Sequence, residues 1–472
     1  MARALPASAP PRFLIGVMVE KFPYGKAPFW LLFIAVVSSI ARWSVSGGVD
    51  GRPDIVVVAN SPSHFEAYKS AVPRFERRHG VRVQVQFAHW SALQSRLESA
   101  MLAGADVPDL VELLVGSLGF FTRGPRADVG LLDLTNRVRA EGLDRRLVAS
   151  RLSSWSTTDG HVYALPNDVH PVMLAYRRDL VEALGVDVSK LDTWDAFVEA
   201  GRRVTRDVDG DGVVDHYMLD LPFDGSWGLT SLLLQRGGQL FDETGNIAFN
   251  SDITAEVFAW YLRQTQGPQK IAYDAGWGQA QGKAMVDGLV LFYLAPDWRS
   301  RFFADEVPSL AGKMGLLPLP AWQPGGRRTS VWGGTGLMIS KRTKHPDLAW
   351  ELATFLYFDP LEMGRRFEAT NIIPVVRDAW SMPELDQPNP YYSNEPIGRM
   401  YADLAPDVPP SYVSPLSAVA ETQLIVAFSS CVEYYRRFGE DGLSDAIHRE
   451  LSRAEGYVRR LAERATVMAQ SR

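Results

Sequence analysis

A chain of 472 residues, 46% hydrophobic and 22% charged, is too long for one ordinary core and too apolar to remain disordered, so two globular domains are expected. Its formal net charge of −6 offers no broad positive field, which argues against nucleic acid as a partner and for a small or neutral ligand. The one cysteine, Cys431, excludes an internal disulfide and any multi-thiolate zinc site, and reads as a packed core thiol.

Residues 29–41 (FWLLFIAVVSSIA) form an uncharged apolar run preceded by Arg3, Arg12, Lys21 and Lys26 against only Glu20. Such a bias keeps the leading side in the cytoplasm. The run is shorter than the roughly 20 residues of a bilayer span and suits a signal peptide, although Trp43 and Val45 extend it. A cleaved signal peptide and a retained transmembrane anchor both stand. The expected division is therefore a cytoplasmic segment at 1–28, signal or anchor at 29–45, and a glycine-containing linker at 46–53. No cysteine follows the run, so a lipid anchor is not supported.

The soluble part opens with a β-branched strand at 54–59 (DIVVVA), a helix at 63–79 and an alternating strand at 81–87 (VRVQVQF). A helix at 91–103 and a strand at 109–114 complete a β-α-β-α-β unit, which implies a parallel sheet with right-handed crossovers. A second α/β unit begins with strands at 162–166 and 172–177 (VMLAYR) and a helix at 179–184. Thr193 then caps a helix with Ala196, Phe197, Ala200 and Val204 inward. Strands are expected at 314–318 and 336–340, an apolar helix at 346–358, and an amphipathic helix at 444–466 with Ile447, Leu451, Ala454, Val458 and Leu461 on one stripe.

Four segments in order resemble one family, the extracellular solute-binding proteins of bacterial sugar ABC transporters. They are 54–87, 164–204 (ALPNDVHPVMLAYRRDL, then TWDAFVEAGRRV), 282–298 (GKAMVDGLVLFYLAPDW) and 332–356 (WGGTGLMISKRTKHPDLAWELATFL). The resemblance implies an α/β, two-lobe periplasmic-binding-protein fold, each lobe a mainly parallel sheet flanked by helices, with the ligand cleft between them. Lobe 1 is projected at 54–168 plus 313–358, and lobe 2 at 169–312 plus 359–472. The implied function is that of an extracytoplasmic receptor of an ABC importer, a monomer binding a mono- or oligosaccharide and serving permease subunits in the membrane. One departure is Ala295-Pro296-Asp297-Trp298, where the family often has Gly-Pro-Trp; it sets a carboxylate beside an expected ligand-facing indole.

Loops after Ala59, Leu113, Pro166 and Trp332 should line the crevice, because ligands of open α/β sheets bind beyond the carboxyl ends of strands. Trp90, Trp227, Trp298 and Trp332 sit in loops or at element ends, where an indole stacks on the C–H face of a sugar ring or simply packs. Glu112 and Asp168 are candidate acceptors for sugar hydroxyls, with a solvated or capping role as the alternative. Asn60 and Ser63 meet the ligand or cap the first helix. Gly333 and Gly334 mark either a close approach of backbone to ligand or a sharp turn.

Residues 207–220 (DVDGDGVVDHYMLD) carry the oxygen-ligand spacing of a calcium loop, with Asp207, Asp209, Asp211, the Val213 carbonyl and Asp215 as ligands. Met218 replaces the twelfth-position Glu, so an EF-hand pair is excluded; a structural Ca²⁺ and a solvated acidic turn both stand, and no cofactor is required. No Gly-x-Ser-x-Gly, His-Glu-x-x-His, Cys-x-x-Cys or Gly-x-Gly-x-x-Gly motif is present, which leaves an enzyme without support. The rival reading is a membrane-anchored binder of a non-sugar ligand, or a sensor input.

Overall fold

The computed structural model describes residues 52–470 apart from Gly124. The expected signal peptide or anchor at 29–45 lies outside the described residues. Among those described, no helix is long and apolar enough to cross a membrane.

The first sheet has the strand order β2-β1-β3-β10-β4, from Ile55–Ala59 (β1), Val83–Phe87 (β2), Leu110–Leu114 (β3), Ala164–Pro166 (β4) and Thr335–Ile339 (β10). The second, β7-β6-β8-β5-β9, uses Val172–Arg177 (β5), Tyr217–Asp220 (β6), Ala272–Tyr273 (β7), Val290–Pro296 (β8) and Met314–Pro318 (β9). Both are mixed sheets in which all strands but one share a direction. β10 runs antiparallel to β3 and β4, and β5 antiparallel to β8 and β9. These two reversed strands are the ones fed directly by the segments that cross between lobes. Central β5 and β8 are buried along their whole length and read as continuous apolar runs, whereas edge strand β2 buries one face, hence its strict alternation.

The helices that position the site are, in chain order, Pro62–His79 (α1), Trp90–Leu102 (α2), Leu118–Phe121 (α3), Trp194–Val204 (α4), Gly228–Arg236 (α5), Asp252–Thr265 (α6), Gln279–Asp287 (α7), Asp297–Glu306 (α8), Pro346–Phe358 (α9), Pro360–Thr370 (α10), Ser417–Phe438 (α11) and Leu443–Gln470 (α12). Thr193 caps α4, its hydroxyl accepting from the Ala196 N–H at 3.3 Å. α1 is capped by Ser61, which accepts from the His64 N–H at 3.2 Å, and Ser63 is exposed at the second position of the helix. The capping role weighed for Ser63 thus belongs to its neighbour, because only the residue before the first turn has the extended backbone that aims a hydroxyl at free N–H groups.

The projected lobe boundaries need two corrections. β9 pairs with β5, so residues 314–318 belong to the second sheet and the chain returns to the first only at about residue 331. α10 packs on α1 and α9, so the chain beyond 359 begins on the first lobe. α11 and α12 form an antiparallel pair on α6 in the second lobe, burying Ile447, Leu451, Ala454 and Val458. Cys431 is buried there, and burial pushes its thiol up to about 12, consistent with a core thiol.

Candidate functional site

Three stretches of chain meet where the sheets join. Residues 167–171 connect β4 to β5, 331–334 lead into β10, and 371–376 lie beside the first. Bridges join Pro171 to Val331 and Asp168 to Pro374. The Val169 N–H donates to the Ile373 carbonyl at 3.2 Å, and the Asn167 N–H to the Thr335 carbonyl at 3.0 Å.

Buried charges pin this junction. Asp168 is wholly buried and accepts from the Thr335 N–H and hydroxyl, both at 2.9 Å, from Arg151 at 3.4 Å and from His170 at 3.1 Å. The other nitrogen of His170 lies 2.6 Å from Asp297, whose second oxygen accepts the Ile373 N–H at 2.8 Å. Burial alone would discharge His170, but Asp168 and Asp297 outweigh it and raise its pKa to about 9. Burial likewise disfavours the Asp168 charge, yet His170 and Arg151 hold that carboxyl well below the usual range. The Asp297 carboxylate of the Ala-Pro-Asp-Trp motif is therefore not open beside the Trp298 indole; it is buried and turns inward to the junction.

Glu112 is equally withdrawn. It is fully buried in β3 and accepts from His64 at 2.9 Å, Tyr357 at 2.8 Å, Tyr68 and the Asn60 N–H at 3.3 Å. Burial opposes its charge, while His64 and the two tyrosines more than compensate and lower its pKa. The expectation that Glu112 and Asp168 take ligand hydroxyls is corrected accordingly. A carboxylate removed from water is held only where protein donors replace its hydration, and these two have spent their oxygens on them.

The tryptophans come together instead. Trp227 and Trp332 stack at 4.7 Å with planes 1° apart, and Trp277 meets both edge-on, at 5.6 and 5.8 Å. Trp298 lies edge-on to Trp332 at 5.5 Å and donates its indole N–H to the Trp332 carbonyl at 3.1 Å. Beneath them sits the fully buried Arg299 guanidinium, 4.6 to 5.0 Å from the rings of Trp277, Trp227 and Trp332. It donates to the Leu294 carbonyl at 2.6 Å and faces Asp220 at 3.4 Å. A desolvated cation among indole faces fixes the rings by cation–π attraction. Burial pulls Arg299 down to about 10 and pushes Asp220 up to about 6 despite their attraction.

Trp227 and Trp332 thus each give one face to the other. The open indole is Trp277, 44% exposed, which was absent from the sequence candidates. Its signal was present: it stands between Gly276 and Gly278, both at positive φ, on a loop between β7 and α7. Two left-handed glycines there set the ring outward.

Gly333 and Gly334 are also at positive φ, 92° and 136°. The Gly333 carbonyl accepts from Arg151 at 3.0 Å, and that of Gly334 from the Val115 N–H at 2.8 Å. The second bond ties the tryptophan segment to a cavity in the first lobe. That cavity lies beyond the carboxyl ends of β1 and β3 and is lined by Asn60, Trp90 and Val115, with Ser414, Ser417 and Glu421 on the far wall. Asn60 is 3% exposed and Trp90 54%. The loops after Ala59 and Leu113 line this cavity, while those after Pro166 and Trp332 form the junction beside it.

Away from the cleft, carboxylate oxygens of Asp207, Asp209 and Asp215 fall within 4.8 Å of one another. Asp211 is not in that group; it accepts the Val213 N–H at 2.7 Å.

The family model described as bacterial extracellular solute-binding protein matches residues 59–360. The arabinooligosaccharide-binding protein of Halalkalibacterium halodurans is 26% identical over 355 residues, 74% of this chain and 77% of that one. The protein of the same description from Bacillus subtilis is 25% identical over 398 residues, covering 82% and 89%. Among solved structures, the sugar-binding protein MalE of Xanthomonas citri shares the fold with a TM-score of 0.70 at 21% identity, over 88% of this chain and 99% of its own. With two α/β lobes, three crossing stretches and a family match over most of its length, the chain belongs to the bacterial extracellular solute-binding proteins.

Proposed function

We propose that this chain is the exported receptor of an ABC importer, a monomer that binds an oligosaccharide between its lobes without turning it over and presents it to membrane permease subunits. The apolar N-terminal segment would direct export, whether cleaved or kept as a tether. The observation that carries the reading is Trp277, an exposed indole held on a cluster of three more tryptophans at the junction of the lobes. An open indole face takes the C–H face of a sugar ring, and an indole held outward by packed neighbours where lobes meet is preorganised to do so. The arabinooligosaccharide-binding relatives set the first probe.

Residues 54–472 should melt at a higher temperature with arabinotriose, maltotriose or galactobiose. A ligand that binds only the folded state at 100 times its Kd stabilises it by about 2.7 kcal/mol. Trp277→Ala should abolish the shift, read against the variant's own ligand-free melt, which falls because the ring also covers the buried Arg299. If no sugar moves the transition while a polyamine or peptide does, the carbohydrate reading fails.

We also propose a structural Ca²⁺ held by Asp207, Asp209 and Asp215, with the Val213 carbonyl as a further oxygen ligand. Hard oxygen donors from one short loop suit this ion. Added CaCl₂ should raise the melting temperature of the wild type and not that of Asp209→Asn. Equal shifts in both proteins would remove the site.

A further inference from the structure

The far wall of the first-lobe cavity is built from the end of the chain. The Ser154 hydroxyl donates to the Ser411 carbonyl at 3.0 Å, and Arg123 Nε to the Pro415 carbonyl at 3.0 Å. Gly119 in α3 comes so close that an added Cβ would overlap the Ser414 carbonyl. From the other side, Gln239 donates to the Pro410 carbonyl at 2.8 Å, and α11 buries Ala420, Leu424 and Phe428 in the second core. The start of α11 is therefore attached to one lobe and fixed against the other.

On the second turn of that helix, Glu421 lines the cavity together with Asn60 and Trp90. Its side chain is exposed, and among the described residues it makes no hydrogen bond or ion pair. The cavity wall nonetheless crowds it enough that burial raises its pKa. Across from it, the side-chain N–H group of Asn60 is buried without an acceptor. A buried donor lacking an acceptor is unfavourable until a ligand or water supplies one. Trp90 leaves more than half its surface open on the same cavity. An acceptor carboxylate, an unsatisfied amide donor and an open indole together match one sugar ring: hydroxyl donors, hydroxyl acceptors and a C–H face.

We propose that Glu421 is a ligand-contacting residue, its carboxylate accepting hydroxyl hydrogen bonds from a sugar ring that lies on Trp90 and reaches Asn60. The ligand then joins α11 to the first-lobe loops, and the final hundred residues contribute directly to specificity. The inference rests on the carbohydrate reading above and adds to it a subsite apart from the tryptophan cluster.

Calorimetric titration of residues 54–472 with arabinotriose, maltotriose and galactobiose tests it. Hydrogen bonds to a charged acceptor correspond to about 10- to 100-fold in affinity, so Glu421→Ala should weaken binding by that factor. Glu421→Gln should fall between, since it keeps one acceptor oxygen and loses the charge. Neither should lower the ligand-free melting temperature, because the carboxylate has no protein partner to lose. If both variants bind within about twofold of wild type while Trp277→Ala loses binding, the subsite is overturned and the carbohydrate reading stands. If the wild type binds none of the three sugars, both fall.

Discussion

Gly334→Ala should destabilise the protein by about 3 to 5 kcal/mol, from backbone strain together with charge-assisted hydrogen bonds forced apart. At φ 136° the backbone lies where essentially only glycine is at ease. A Cβ there would overlap Nη2 of Arg151 and come within 3.2 Å of its Cζ and 3.3 Å of Asp168 Oδ1. Arg151 is fully buried and spends its donors on the Asp168 carbonyl, the Asp168 carboxylate and the Gly333 carbonyl. It cannot step aside without leaving a buried carboxylate short of a cation, a change that costs about 3 to 5 kcal/mol when complete. Gly325→Ala is the matched control. It too has positive φ, 73°, but an added Cβ meets nothing within 4 Å, so only the left-handed backbone penalty of about 1 to 2 kcal/mol applies. Urea denaturation of both variants measures the difference. Equal losses would show that Arg151 repacks freely and that the junction is softer than its hydrogen bonds imply.

The sequence made the local features readable and left the long-range ones hidden. The Thr193 cap, the strand VMLAYR and the helix starting at Pro346 fall where propensity and patterning place them, since a cap or a β-branched run announces itself within a few residues. The sheet to which residues 314–318 belong was misassigned because membership is decided by pairing with β5, more than a hundred residues earlier, and β9 carries no mark of its partner. Asp168 lies past a strand end as expected, whereas Glu112 falls within β3, and the roles of both turn on His64, Tyr357, Arg151 and His170, contacts that no spacing encodes. Trp227 and Trp332, expected to act singly, are coupled through Arg299, which lies beside Trp298 in sequence and offered no signal as a lone basic residue. Glu421 lay in a region without family-like motifs, and only the fold brings it to the cavity.

His170 should make the stability of the junction depend on pH above neutrality. It is 3% exposed, adopts φ 55° and stands between Asp168 and Asp297, with Arg151 on the far side of Asp168. Its pKa rises from 6.5 to about 9 on folding. A group whose folded pKa exceeds its unfolded value stabilises most below the unfolded pKa and loses that contribution as pH climbs through the folded one. The window therefore runs from about pH 6.5 to about pH 9, and at about 1.4 kcal/mol per pH unit the contribution is on the order of 3 kcal/mol. Above that window the neutral ring keeps one N–H, and one of the two adjacent buried carboxylates loses a donor and its cation. His170→Asn tests this with the backbone held constant, because asparagine tolerates the left-handed conformation better than most residues. At pH 6 the variant should melt well below the wild type, since two buried carboxylates lose the cation between them. As pH rises to 9.5 the two melting curves should converge, the wild type moving toward the variant. A gap that stays constant over that range would mean that His170 contributes shape alone and that Arg151 carries the charge balance of the junction.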